Sequence, residues 1–69
     1  MSGFDENEVL FEFVRVGNYL KVSAIDPATA IEVSVAGPVT GSRELLKRTA
    51  VNKLRYVLER RRAEQGGRR

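Results

Sequence analysis

Two short turns constrain this chain more than any other feature. Glu8–Val16 ("EVLFEFVRV"), Asn18–Asp26 ("NYLKVSAID") and Ala30–Ala36 ("AIEVSVA") read as strands, the first rich in Val, Phe and Leu and the others alternating. Gly17-Asn18 separates the first two. Gly at the first central position marks a type II′ two-residue hairpin, because that position needs positive φ. "DPAT" separates the second and third strands, with Asp26 and Pro27 placed for a type I turn. These loops set a register. Val16 faces Tyr19, Phe13 faces Val22 and Phe11 faces Ala24; further on, Asp26 faces Ile31 and Ala24 faces Val33. Paired residues share a face. One face then collects Val9, Phe11, Phe13, Leu20, Val22, Ala24, Ile31, Val33 and Val35. A slip of one residue would scatter that set, so the register and the apolar pattern support each other. The opposite face is mixed: Glu8, Leu10, Glu12, Val14, Val16, Tyr19, Lys21, Ser23, Ile25, Glu32 and Ser34.

"AGPVTGS" (Ala36–Ser42) reads as a loop. Ser42 suits a helix N-cap, and Glu44 suits the first turn beside the positive helix end. From Arg43 to about Arg62 the residues favour a helix, and Leu46, Ala50, Leu54, Val57 and Leu58 form one apolar stripe. Such a helix would be about 30 Å long, which matches a nine-residue strand. The expected fold is therefore α+β: a three-stranded antiparallel meander covered on one face by a C-terminal helix (βββα), in two layers. The expected organisation is a disordered segment at 1–7, one domain at 8–63 and a flexible basic tail at 64–69.

Composition excludes several kinds of chemistry. The 69 residues contain no Cys and no His. Disulfides, thiolate–metal clusters, imidazole bases and His-ligated metals are unavailable to a single chain. No apolar run approaches the roughly 20 residues of a membrane span. The acidic start "MSGFDENE" is unlike a signal peptide. A cytoplasmic protein without cofactor, metal or membrane contact is expected.

Charge is unevenly placed. Residues 1–40 carry two basic and six acidic side chains, a net −4, and residues 41–69 carry ten basic and three acidic, a net +7. The split suggests either a polyanionic partner or a basic helix matched to acidic groups within the fold or a homodimer. Arg48, Arg55 and Arg62 recur at seven-residue spacing, on the side expected to face away from the core. With Arg60, Arg61, Arg68 and Arg69 they are candidate polyanion contacts. Against this, cations at a helix C-terminus suit the helix dipole, and Glu44, Glu59 and Glu64 interrupt the run. Arg55 and Glu59 stand as i,i+4 partners. An open sheet face bearing Glu8, Glu12 and Glu32 beside Lys21 would repel DNA, and Tyr19 is its single stacking platform.

Catalytic readings are weak. Glu8 and Glu12 lie about 13–14 Å apart along a strand, too far for a glycosidase pair at roughly 5–10 Å. "GPVTGS" precedes a helix but lacks the Walker spacing and its Lys. The exposed apolar groups say more. Leu10, Val14, Val16, Tyr19 and Ile25 fall on the face away from the helix, while Leu45, Val51 and Tyr56 flank the helix stripe. A protein partner or self-association would bury them, and the third strand is an open edge for pairing.

The stretches "GNYLKV", "DPAT" with the following "EV", and "KLRYVL" resemble a family of very short proteobacterial proteins of unknown function. The resemblance covers roughly Val9 to Arg61. It implies a small sheet-and-helix fold and no functional residues. In "DPATA", Ala30 stands where Gly would be expected; a left-handed backbone there would carry a conformational cost. The expected function is that of a small non-enzymatic module acting through an unknown protein partner or a homo-oligomer. The alternative is a nucleic-acid or ribosome accessory using the basic helix and tail.

Overall fold

A computed structural model describes residues 4–66. Strands β1 (Leu10–Val16), β2 (Tyr19–Asp26) and β3 (Ile31–Pro38) form an antiparallel sheet in the order β1-β2-β3, followed by helix α1 (Arg43–Gly66). The fold is the βββα arrangement the sequence predicts. The register matches pair for pair: Phe11↔Ala24, Phe13↔Val22, Val16↔Tyr19, Ala24↔Val33 and Asp26↔Ile31.

Both turns need a residue at positive φ. Gly17 sits at φ 59° and Asn18 does not join it in that region, which fits a II′ hairpin and excludes I′. The second turn closes one residue later than a simple type I turn. Ala30 N–H donates to the Asp26 carbonyl at 2.7 Å, and Ala30 is held at φ 62°. Thr29 Oγ1 ties the loop by donating to the Asp26 carboxylate at 2.8 Å and accepting from Ile31 N–H at 3.2 Å.

The helix starts as expected. Leu45 N–H donates to Ser42 Oγ at 3.2 Å, the N-cap bond that satisfies one of the free amides of the first turn. The core comprises Val9, Leu20, Val22, Ala24, Val33, Ala50 and Leu54. Packed against it are Phe11, Phe13, Ile31, Val35, Leu46, Val57 and Leu58. All nine sheet residues and all five helix residues of the predicted apolar sets are therefore in place.

Three boundaries differ from expectation. Gly37 and Pro38 belong to β3, not to a loop. An added Cβ on Gly37 would lie 2.8 Å from Leu46 Cδ2, so the absence of a side chain lets the first helical turns settle on the sheet. The expected disordered segment holds a short 3-10 turn, Glu6–Glu8, with the Asp5 carboxylate accepting from Asn7 N–H, and Phe4 packs against the core; residues 1–3 lie outside the described residues. The helix continues through Glu64 to Gly66 instead of ending near Arg62, because its last residues are helix formers without a stop signal before Gly66. Its 24 residues span about 36 Å against about 27 Å for an eight-residue strand, so it is longer than the sheet it covers. Residues from Glu59 to Glu64 are exposed.

Candidate functional site

The helix lies across β2 and β3. On its own side of the sheet, the β1 residues Phe11 and Phe13 are left only partly covered, and cations from the helix close over them. Lys47 Nζ sits 4.9 Å from the Phe11 ring centre and Arg43 Cζ 5.3 Å from that of Phe13. Arg55 takes the same position over Phe4 at 5.4 Å. A cation over an aromatic face gains from the ring quadrupole while keeping contact with water.

These contacts change the reading of the basic helix. Arg48 and Arg55 line a shallow groove between the helix and the β1 side of the sheet, with Glu6, Phe11 and Glu44. Arg55 and Arg62 line its continuation beside Phe4. The seven-residue arginine row thus flanks the core rather than facing away from it, because the helix is shifted toward β3 and leaves that flank open. Arg55 is hydrogen-bonded and ion-paired to Glu6, not to Glu59. Arg60 donates to the Tyr56 hydroxyl at 3.2 Å and to Glu64 at 3.5 Å. Acceptance by the Tyr56 hydroxyl, with the nearby Glu64 carboxylate, raises the Arg60 guanidinium further above its ordinary value. Arg61 and Arg62 are exposed on the far end of the helix, and Arg68 and Arg69 lie outside the described residues. The candidate polyanion set is therefore dispersed, and two of its members are engaged by carboxylates.

The other sheet face carries no helix. Leu10, Val14, Val16 and Tyr19 are 56%, 43%, 58% and 62% exposed on it. Ile25 differs from expectation: it is half-buried, being held in the central strand between Leu10 and Glu32. Ser23, also central and short, is buried on this face and lies 3.1 Å from Ser34, Oγ to Oγ. Of the helix flank, Leu45 and Tyr56 are exposed and Val51 is half-buried.

The strand edges are unlike one another. Lys53 Nζ reaches over from the helix and donates to the Ser34 carbonyl at 3.0 Å, so the β3 edge that the sequence left open is partly occupied. A lysine at a sheet edge discourages further pairing. Sequence reading missed this contact and the place of Phe4, since neither residue belongs to a periodic pattern.

Among the described residues, no group of three or more His, Cys, Asp or Glu is placed to hold a metal, and no helix is long and apolar enough to cross a membrane. Neither the curated proteins nor the solved structures supply a match to the chain. Residues 6–61, which include all three strands and most of the helix, match the model of a domain of unknown function (DUF6898), and the chain belongs to that family.

Proposed function

We propose that this chain is a non-enzymatic cytoplasmic module that acts through protein contacts or self-association at the open face and open edge of its sheet. One observation carries the reading. Leu10, Val14, Val16 and Tyr19 stand exposed together on a sheet face with no covering element. Val16 pairs with Tyr19 and Val14 lies two residues away on the same face, so three of the four are neighbours. Each large apolar side chain gains about 1.5–3 kcal/mol from full burial, and a contiguous exposed patch on so small a domain marks an interaction site.

The second reading, nucleic-acid binding, is favoured by Arg61 and Arg62, exposed where the helix is clear of the core. It is weakened by the pairing of Arg55 with Glu6 and of Arg60 with Glu64. A native pull-down, with and without nuclease, separates the two. The wild-type chain is expected to retain specific protein, its own untagged copies included, and Val16→Glu/Tyr19→Glu is expected to lose it. Retention that nuclease abolishes and the double variant leaves intact would overturn the protein-contact reading.

A further inference from the structure

The pattern of backbone hydrogen bonds settles which groups face outward at each edge. Val39 N–H donates to the Asn18 carbonyl at 2.9 Å, which aims the even-numbered residues of β2 at β3. The odd-numbered ones, from Tyr19 to Ile25, then bond to β1. Hence Leu10, Glu12, Val14 and Val16 bond inward, and Phe11, Phe13 and Arg15 turn their N–H and C=O groups out of the sheet. On β3 the outward residues are Glu32, Ser34, Ala36 and Pro38. The Lys53 bond to the Ser34 carbonyl agrees with this. Pro38 has no N–H to offer on that edge. Lysine and proline are the residues with which natural sheets blunt an edge, and the β3 edge meets both: Pro38 within the strand and Lys53 reaching over from the helix.

β1 has neither. The described residues place no side-chain hydrogen bond on the outward groups of Phe11, Phe13 or Arg15. Its composition is also that of a different kind of strand. It is apolar on both faces: Phe11 and Phe13 on the helix side, Leu10, Val14 and Val16 on the other. An exposed edge strand that is largely apolar and carries neither lysine nor proline is a template for pairing with another chain.

Resting on the protein-contact reading above, we infer that the partner is a second copy of this chain, and that β1 pairs antiparallel with β1 of that copy about a two-fold axis at Phe13. Two observations select this register. A two-fold at Glu12 would set the two Glu12 carboxylates directly opposite, and like charges so placed oppose pairing. It would also need the Val9 N–H, which already donates to the Glu6 carbonyl at 3.2 Å. A two-fold at Phe13 avoids both. It overlaps the whole of Leu10–Val16, sets Glu12 opposite Val14 of the second copy and Leu10 opposite Val16. Phe11, Phe13 and Arg15 of each copy exchange both backbone bonds. Both helices then lie on one side of a continuous six-stranded sheet. Their axes are about four strand spacings apart, roughly 19 Å, which leaves room for two helices of about 10 Å diameter.

The chain lacks Cys, so crosslinking reads the register without interference. In this register Glu12 and Val14 of the two copies form a non-hydrogen-bonded pair with Cα atoms about 4.5 Å apart, inside the usual disulfide range of about 4.4–6.8 Å. Like positions stand on a diagonal of about 7–8 Å, beyond it. An equimolar mixture of Glu12→Cys and Val14→Cys chains is therefore expected to oxidise to the mixed dimer, and neither chain alone to do so efficiently. By sedimentation equilibrium, Val14→Lys is expected to tighten and Val14→Glu to weaken self-association by about two- to thirtyfold, from two cross-strand charge pairs beside Glu12. Efficient crosslinking of Glu12→Cys alone would overturn the register. Equal weakening by both Val14 variants would place the contact on the sheet face and overturn the edge pairing. A wild-type chain that stays monomeric to roughly 1 mM, where even a −4.1 kcal/mol association would show, would overturn the second copy as partner; the protein-contact reading would then rest on the pull-down alone.

Discussion

Replacing Ala30 by Gly is expected to raise the melting temperature of this domain. Ala30 is the non-glycine residue found at positive φ among the described residues, at 62°. A left-handed backbone costs an L-residue about 1–2 kcal/mol, from the crowding of Cβ against the carbonyl oxygen. Glycine is free of that cost but is more flexible when unfolded, which takes back about 0.4–1 kcal/mol. Nothing else of consequence changes. Ala30 is exposed, and its N–H bond to Asp26 is a backbone bond that Gly retains. The net gain is about 0.5–1 kcal/mol. With an unfolding entropy of about 2.1 cal/mol/K per residue, this shifts the melting temperature upward by about 3–7 °C. Thermal melts followed by circular dichroism at 222 nm, with urea midpoints as a check, measure it. Gly17→Ala is the mirror experiment. Gly17 sits at φ 59° with no atom within 4 Å of an added Cβ, so its loss comes from the backbone alone: about 1–2 kcal/mol of left-handed cost less the same unfolded-state term, a net destabilisation of about 0.5–1 kcal/mol. A melting temperature for Ala30→Gly at or below the wild-type value would refute the reasoning, as would shifts of the same sign in both variants.

Three further outcomes are expected. Leu54→Ala, at a fully buried side chain, should cost about 2–5 kcal/mol and leave a large unfolded fraction at 37 °C in the same melts. Gly37→Ala forces its new Cβ onto Leu46 and should cost about 1–3 kcal/mol; adding Leu46→Val should recover part of that, and strict additivity in a double-mutant cycle would count against the close approach. Truncation after Arg62 removes the exposed helical residues Ala63 and Glu64 and the chain that follows them, so the 222 nm signal should fall while the melting temperature moves by no more than about 2–4 °C, since surface changes stay within about 0.5 kcal/mol; a larger drop would mean that the end of the helix is packed against the core.

The sheet was legible because its evidence is redundant. The turn at Gly17-Asn18, the turn at Asp26–Thr29 and the apolar pattern of the strands each specify a register, and all specify the same one. The helix start was legible from Ser42, whose hydroxyl has one clear use. The helix end was not. Beyond Leu58 no apolar residue marks contact with the sheet, and charged helix formers continue the helix as readily as they leave it. Phe4 was hidden in an acidic segment, so its packing beneath Arg55 left no periodic trace. The basic helix was misjudged for a related reason. A wheel shows the angle of Arg48, Arg55 and Arg62 but not the sideways placement of the helix on β2 and β3, which opens a flank over β1 and brings Arg55 to Glu6. The exposure of Leu10, Val14, Val16 and Tyr19 followed from alternation alone, whereas the partial burial of Ile25 required knowing that it lies between two neighbouring strands.

The Lys53 ammonium on the Ser34 carbonyl has a consequence for stoichiometry. A sheet with two open edges can recruit at both, and each addition restores the edge it consumed; such growth has no natural end and leads to fibres. A sheet with one edge blunted is different. Pairing through β1 uses the open edge of each chain, and the outer boundaries of the product are two copies of the blunted strand. Assembly closes at two chains, as an isologous contact does and a head-to-tail contact need not. A strand as apolar as β1 is a hazard in a chain that can polymerise; in a chain that terminates its own growth on the opposite side, it is a usable adhesive.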